Sequence, residues 1–208
     1  MKGLFIALEG SDGSGKSTIL NTLKKYFRRE SWDVVYTREP GGTPIGEKIR
    51  DILLDRGNVA MDPHCEALLY AASRAQHVHE KIIPNLEAGR IVVTDRYILS
   101  SLAYQGWARK LGISEVYDLS RFACGGVEAD LTIFLDVDPI TVLKRKARHQ
   151  KPDRLEKAGN DFHRMVYEGY GKALPFQKRV VRIDASKPAN LVAEEAWAAI
   201  KKAWEEKQ

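Results

Sequence analysis

Short apolar runs punctuate the chain, and longer segments with apolar residues at three- and four-residue intervals fill the spaces between them. Leu4-Phe5-Ile6-Ala7-Leu8 is continuous and ends at Glu9-Gly10. A run without alternation is what a strand buried on both faces requires. Val34-Val35-Tyr36, Ile91-Val92-Val93-Thr94, Leu131-Thr132-Ile133-Phe134-Leu135 and Val180-Val181-Arg182-Ile183 repeat the pattern, the last placed nearer an edge. Between them, Ile19, Leu20, Leu23 and Phe27 fall on one helical face, as do Ile45, Ile49, Ile52 and Leu53. Leu68, Ala72, Ala75, Ile82 and Leu86 form a stripe along a further helix. That helix is expected to open with Asp62 as N-cap and Pro63 in its first turn, to break or kink after Ile83 because of Pro84, and to close at Gly89.

Strands alternating with helices imply parallel pairing through right-handed crossovers. Ligands of such sheets sit beyond the carboxyl ends of the strands. Chemistry is therefore expected in the loops after Leu8, Thr37, Thr94 and Leu135.

Composition changes this picture little. A length of 208 residues suits one domain, and 44% hydrophobic with 29% charged residues suits an ordinary globular protein with a core of its own. The excess of 33 basic over 28 acidic residues is small and dispersed, so it argues for neither a nucleic-acid nor a membrane surface. Cys65 and Cys124 have no metal-ligand spacing and read as free thiols of a reducing compartment. No signal peptide and no apolar stretch long enough to span a bilayer is seen, which leaves a cytoplasmic location as the expectation.

The chemistry is concentrated first at Gly10-Ser11-Asp12-Gly13-Ser14-Gly15-Lys16-Ser17. This is a complete Walker A pattern, with a buried strand before it and an amphipathic helix after it. The glycines let backbone N–H groups turn around a β-phosphate, and the following helix adds its positive end. Lys16 is expected on the β- and γ-phosphates of a nucleoside triphosphate, and the Ser17 hydroxyl on Mg²⁺. An acid inside this loop, Asp12, needs a compensating metal or hydroxyl, so it is expected to face Mg²⁺ or the phosphoryl acceptor; an Asx-turn role is the alternative.

Asp95-Arg96-Tyr97 follows the third strand directly. Asp95 can hold Mg²⁺ through water, and Arg96 can grip an acceptor phosphate; a structural ion pair would use the same residues. Glu39, after the second strand, reads as a positioning group or a partner of a Mg²⁺-bound water. The polar, basic segment 145–157, interrupted by Pro152, reads either as a solvated helix end or as a mobile lid that carries cations over the phosphates.

Gly10 to Thr18, Arg38-Glu39-Pro40-Gly41-Gly42-Thr43, Asp95-Arg96-Tyr97-Ile98-Leu99-Ser100-Ser101-Leu102-Ala103-Tyr104-Gln105-Gly106, Asp136-Val137-Asp138-Pro139 and Asp153-Arg154-Leu155-Glu156 together resemble bacterial thymidylate kinase. The likeness extends over essentially the whole chain, and the stretch after Asp95 is specific to that family among nucleotide kinases. It implies a single α/β domain over 1–208 of the P-loop NTPase three-layer type, a five-stranded parallel sheet flanked by helices, with a short mobile lid at about 145–157. It implies ATP-dependent phosphorylation of dTMP with Mg²⁺, and a homodimer through the helices around 45–55 and 65–83.

Residue by residue, the resemblance implies that Gly10 to Thr18 and Arg145 bind ATP. Arg50 and Arg96 would hold the acceptor phosphate, and Asp12 would contact the 3′-hydroxyl. Arg74 and Gln105 would meet the O4/N3 edge of the base, with Ser100 or Ser101 beside them. Tyr104 would sit where a ribose 2′-hydroxyl would clash. Tyr70 stands where the family usually has a phenylalanine stacked on thymine, a departure that adds a hydroxyl. Family members carry the catalytic cation in the P-loop or in the lid; the loop residue after Asp12 is Gly13, and the lid offers Arg148 and Arg154. Two other readings stay open on the residues alone. One is another nucleoside monophosphate or deoxynucleoside kinase. The other is a P-loop switch or ATPase, although neither an Asn-Lys-x-Asp motif nor a coherent basic stripe is present.

Overall fold

The computed structural model of the chain describes residues 2–138, 154 and 160–208. Five parallel strands form one sheet in the order β2-β3-β1-β4-β5. They are β1 (Phe5–Glu9), β2 (Val34–Arg38), β3 (Ile91–Asp95), β4 (Leu131–Asp136) and β5 (Val180–Asp184). Each coincides with an apolar run expected to be a strand. The central strand β1 is buried along its whole length, and β5 lies at one edge.

The two-residue period of each strand sorts its side chains into two apolar layers. Ile6, Leu8, Val93, Ile133 and Leu135 pack with Ile19, Leu23 and Phe27 of α1 (Lys16–Arg29) on one face. On the other, Phe5, Ala7, Val92 and Phe134 meet Tyr97, Leu102, Val166 and Tyr170. The second layer draws on α3 (Pro63–His77), α5 (Ile98–Ser101), α6 (Ile113–Ala123) and α7 (Asn160–Ala173). Helix α2 (Pro44–Leu54) packs on α3, and α8 (Ala189–Glu205) closes the first layer.

Three local readings are corrected by the packing. The expected stripe holds only at its far end, where Ile82 and Leu86 are buried; within α3 it is inverted, with Leu68 57% exposed and Ala72 exposed, whereas Glu66, Ala67, Ala71, Ser73, Arg74 and His77 are buried. On α2, Leu53 is buried, but Ile45 and Ile52 face out. Asp62 does cap α3, accepting from His64 N at 2.8 Å, with Pro63 in the first turn. Pro84, however, does not break the helix after Ile83. The irregularity lies one turn earlier, in a π-helical segment at Val78–Ile82, and α4 (Ile83–Glu87) follows it directly with Pro84 as its second residue. Gly89, at φ 80, follows the end of α4 as expected.

Candidate active site

The loop between β1 and α1 is shaped by where glycine alone fits. Gly10 has φ 144, and a Cβ there would lie 2.7 Å from Leu135 O and 2.8 Å from Ser14 Oγ. Ser11, Ser14 and Lys16 are buried; Ser17 and Thr18 are exposed on the first turn of α1. Lys16 Nζ donates to Gly10 O (2.8 Å) and Ser11 O (3.1 Å). Burial, and then the charge of Arg96, lower its pKa to about 8 against the opposing pull of Asp95, Asp12 and Glu9. An incoming phosphate offers this ammonium a charged partner in place of two neutral carbonyls.

Beyond this loop lies an open cavity, walled by the loops after β1, β2 and β3 and by helical residues. Asp12, Glu39, Arg50, Tyr70, Arg74, Arg96, Ser100, Ser101, Tyr104 and Gln105 all line it, with Pro40, Leu54 and Tyr97. The space past Arg96 is open rather than filled by packed side chains.

Arg96 holds the junction of loop and cavity. It takes a left-handed backbone (φ 71), which a side-chain-bearing residue adopts at a cost and which recurs at functional sites. Its Nη1 donates to Gly10 O (3.1 Å), Ser100 Oγ (2.9 Å) and Tyr170 Oη (2.8 Å), and its Nη2 to Asp12 Oδ1 (2.6 Å). Tyr104 Oη donates to Asp12 Oδ2 (2.8 Å). Asp12 is thus compensated by a guanidinium and a hydroxyl on the acceptor side of the loop. Burial raises the Tyr104 pKa well above its ordinary value, so the hydroxyl keeps its proton.

Two buried carboxylates order the far wall. Glu39 accepts from Arg74 Nε (2.9 Å) and meets His77 Nδ1 (2.9 Å). Arg74, 2% exposed, also donates through Nη1 to Ser120 Oγ (3.0 Å) and through Nη2 to Tyr97 O (3.2 Å) and Ser101 Oγ (3.0 Å). Four of its five N–H groups are thereby engaged, leaving one on Nη1. The second carboxylate, Glu66, is 0% exposed and accepts from Gln105 Nε2 (2.9 Å), Arg109 and Arg154. Arg154 Nη2 reaches Glu66 Oε2 at 2.6 Å, and its Nε donates to Leu53 O at 2.9 Å. Arg154 is therefore docked beside the cavity on Glu66. Arg145 and Arg148 lie outside the described residues.

The thymidylate kinase family model matches residues 8–196. The chain belongs to the thymidylate kinase family. Its relatives include the thymidylate kinase of Finegoldia magna, 54% identical over 183 residues, which are 88% of this chain and 90% of that one. The thymidylate kinase of Clostridium novyi is 48% identical over 93% of this chain and 96% of its own length. That of Bacillus velezensis is 46% identical over 98% and 97%.

The donor set beside the phosphate-binding loop suits Mg²⁺. Asp95, at the end of β3 and close enough to Lys16 to raise its pKa, has a buried Oδ1 without a hydrogen-bond partner. Ser17 offers an exposed hydroxyl. No group of three or more His, Cys, Asp or Glu side chains that could hold an ion alone occurs among the described residues. Mg²⁺ asks for little more than one or two protein oxygens beside phosphate and water.

Sequence reading passed over Glu66, Tyr97, Arg109 and Tyr170. Tyr170 Oη touches Arg96 and Gly10 O (3.1 Å) from α7, and Tyr97 supplies a carbonyl to Arg74. A signal for Glu66 was present: Glu66, Tyr70 and Arg74 recur at four-residue intervals, hence on one helical face. An acid in the first turn of a helix is ordinarily explained by the helix dipole, which hid it.

Proposed function

We propose that the protein transfers the γ-phosphoryl group of ATP to dTMP, forming dTDP and ADP. The observation that carries this reading is the open cavity, lined by Arg50 and Arg96 at one end and by Arg74 and Gln105 on the far wall, next to a Walker A loop in a chain of the thymidylate kinase family.

In this reading Lys16 and the N–H groups of residues 10–18 hold the triphosphate, with Arg145 over the adenine. Arg50 and Arg96 bind the acceptor phosphate, whose oxygen attacks the γ-phosphorus as the bond to the ADP oxygen breaks. Asp12 takes the 3′-hydroxyl, and Tyr104 lies under the sugar. Tyr70 stacks on the base; Arg74 and Gln105 read its O4/N3 edge, with Ser100 and Ser101 beside them. Glu39 fixes Arg74. Ser17 and Asp95 would hold Mg²⁺, which neutralises charge on the β- and γ-oxygens when bound. A cation from 145–157, Arg148 or Arg154, covers the transferring group; Arg154 must leave Glu66 to do so. Alignment and charge neutralisation, rather than covalent catalysis, lower the barrier.

Helices α2 and α3 adjoin and expose Ile45, Ile52 and Leu68, which supports a homodimer through these helices. Among the described residues no helix is long and apolar enough to cross a membrane. A cytoplasmic place belongs to the proposal.

The test is an acceptor panel with ATP and Mg²⁺, followed by ADP release. One methyl group is worth about 1–3 kcal/mol, so dUMP is expected to be roughly 10–150-fold poorer than dTMP. Mismatched base edges leave buried polar groups unpaired, so dCMP, dAMP and dGMP are expected about 10⁴-fold lower. Equal turnover of dCMP and dTMP would overturn the assignment in favour of a broader nucleoside monophosphate kinase.

A further inference from the structure

Glu66 has no place in the phosphoryl transfer, yet it is a fully buried carboxylate at the edge of the acceptor cavity. Its Oε1 accepts from Gln105 Nε2 at 2.9 Å and from Arg109 Nε at 3.2 Å; its Oε2 accepts from Arg109 Nη2 at 3.2 Å and Arg154 Nη2 at 2.6 Å. Burial alone would raise its pKa. The hydrogen bonds from Gln105, Arg109 and Arg154, with the charge of Arg109, outweigh burial and hold the carboxyl below its ordinary value. An ionised carboxylate only accepts hydrogen bonds.

That fact fixes a choice an amide otherwise leaves open. Gln105 is 1% exposed and lines the cavity. Its NH₂ must face Glu66, because turning the amide over would set its oxygen against a carboxylate. The carbonyl Oε1 is then turned away from Glu66, as an acceptor. Thymine and uracil present an N3–H donor to such an oxygen; cytosine presents a lone pair at N3.

We infer that Glu66 is a positioning residue for base selection: by holding the Gln105 amide in one orientation it makes this edge of the cavity accept an N3–H and repel an N3 lone pair. The inference rests on the dTMP reading above and adds the residue that sets its polarity. Gln105 touches the base; Glu66 acts only through it.

The experiment is Glu66→Gln in the full chain, with kcat and KM measured for dTMP and dCMP. A glutamine at this position can donate as well as accept, so it tolerates both orientations of Gln105. The preference for dTMP over dCMP in kcat/KM is expected to fall at least tenfold, mainly through KM, out of the roughly 10⁴ that a hydrogen-bonding base site can supply. Both substrates share the phosphoryl-transfer step, so any loss of the lid contact through Arg154 cancels from this ratio. Loss of activity toward both with the ratio unchanged would reduce Glu66 to a structural ion-pair partner and overturn the inference. Should that variant not fold, the unaltered protein still decides. The Gln105 side-chain NH₂ resonances, assigned by their absence in Gln105→Ala, are expected to be exchange-protected and to stay so when dTMP binds. Free exchange, or transfer of that bond to the base, would overturn it. Equal use of dTMP and dCMP by the unaltered protein would instead defeat the pocket reading itself, and the role of Glu66 with it.

Discussion

Helices α1 and α3 bury opposite kinds of residue. In α1 the buried positions are Ile19, Leu23 and Phe27, with one charge, Lys16, in the first turn. In α3 they are Glu66, Ser73, Arg74 and His77 with two alanines, while Leu68 and Ala72 look outward. The first is held by apolar burial, worth roughly 1.5–3 kcal/mol for each large side chain. The second is held by charges that satisfy one another: Arg74 on Glu39, and Glu66 on Arg109 and Arg154. A buried ion pair is a poor source of stability, because desolvation offsets most of the attraction. Its presence in α3 is explained by what it faces, a cavity that must present donors and acceptors in set directions. One helix supports the fold, and the other lends part of its packing to the site.

That contrast is broken most severely at Arg74. Arg74→Met removes the cation and leaves Glu39 buried with His77 as its remaining partner of those described. Breaking one side of a buried pair costs about 3–5 kcal/mol, which urea unfolding would report. If Arg74 reads the base as proposed, activity toward dTMP should fall at least about 10³-fold, because the base edge loses a buried donor. Full activity in a protein destabilised by that amount would mean that α3 is only a structural element after all.

Leu23→Ala is the matching change in α1. Leu23 is 1% exposed in the apolar layer, and truncation should cost about 2–5 kcal/mol of stability. The ratio of dTMP to dCMP turnover should not move, since nothing in that layer lines the cavity. A changed ratio would show that the two helices are coupled through the sheet rather than divided in labour.

The same division explains what could be read from the chain before its structure. The strands and α1 were legible because burial on both faces, or along one stripe, writes itself into local periodicity. The phosphate loop was legible because its glycine spacing is local. Helix α3 misled: Leu68 and Ala72 keep helical spacing, but the face they make is turned outward, and periodicity carries no direction. The partners of Glu66 lie 39, 43 and 88 residues further on, so no local pattern announces them. Tyr104 and Gln105 share a π-helical segment, Leu102–Ala108, whose wider turn carries two adjacent residues to one cavity. Their assignment, like that of Arg74, came from resemblance to a family rather than from spacing.

A smaller effect sharpens the comparison at the charged end of α1. In the free protein Lys16 has its pKa lowered to about 8, so below that pH it is cationic and above it progressively neutral. Bound triphosphate favours the charged form and moves the pKa back up. The value of kcat/KM for ATP should therefore bend downward near pH 8, losing about tenfold per pH unit at its steepest. The plateau of kcat at saturating substrate should extend to higher pH. Profiles that bend together would show that Lys16 does not carry the binding of the triphosphate.

The smallest expected effect on the folded chain lies on the outward side of α3. Leu68 is 57% exposed, so Leu68→Glu removes little buried surface, and solvent-facing substitutions usually change stability by no more than about 0.5 kcal/mol. What it does change is the apolar face formed with Ile45 and Ile52 of α2. If a second copy covers that face, a carboxylate placed there must be desolvated without a partner, and sedimentation velocity should find monomer where the unaltered protein is dimeric. Cys65, exposed in the first turn of α3, gives an independent check, since a label there should react faster once the face is uncovered. An unaltered chain that is already monomeric, with Leu68→Glu indistinguishable from it, would leave α3 inverted for the sake of the site alone. A dimer that dissociates would give the inversion two causes: a polar face turned to the nucleotide and an apolar face turned to another chain.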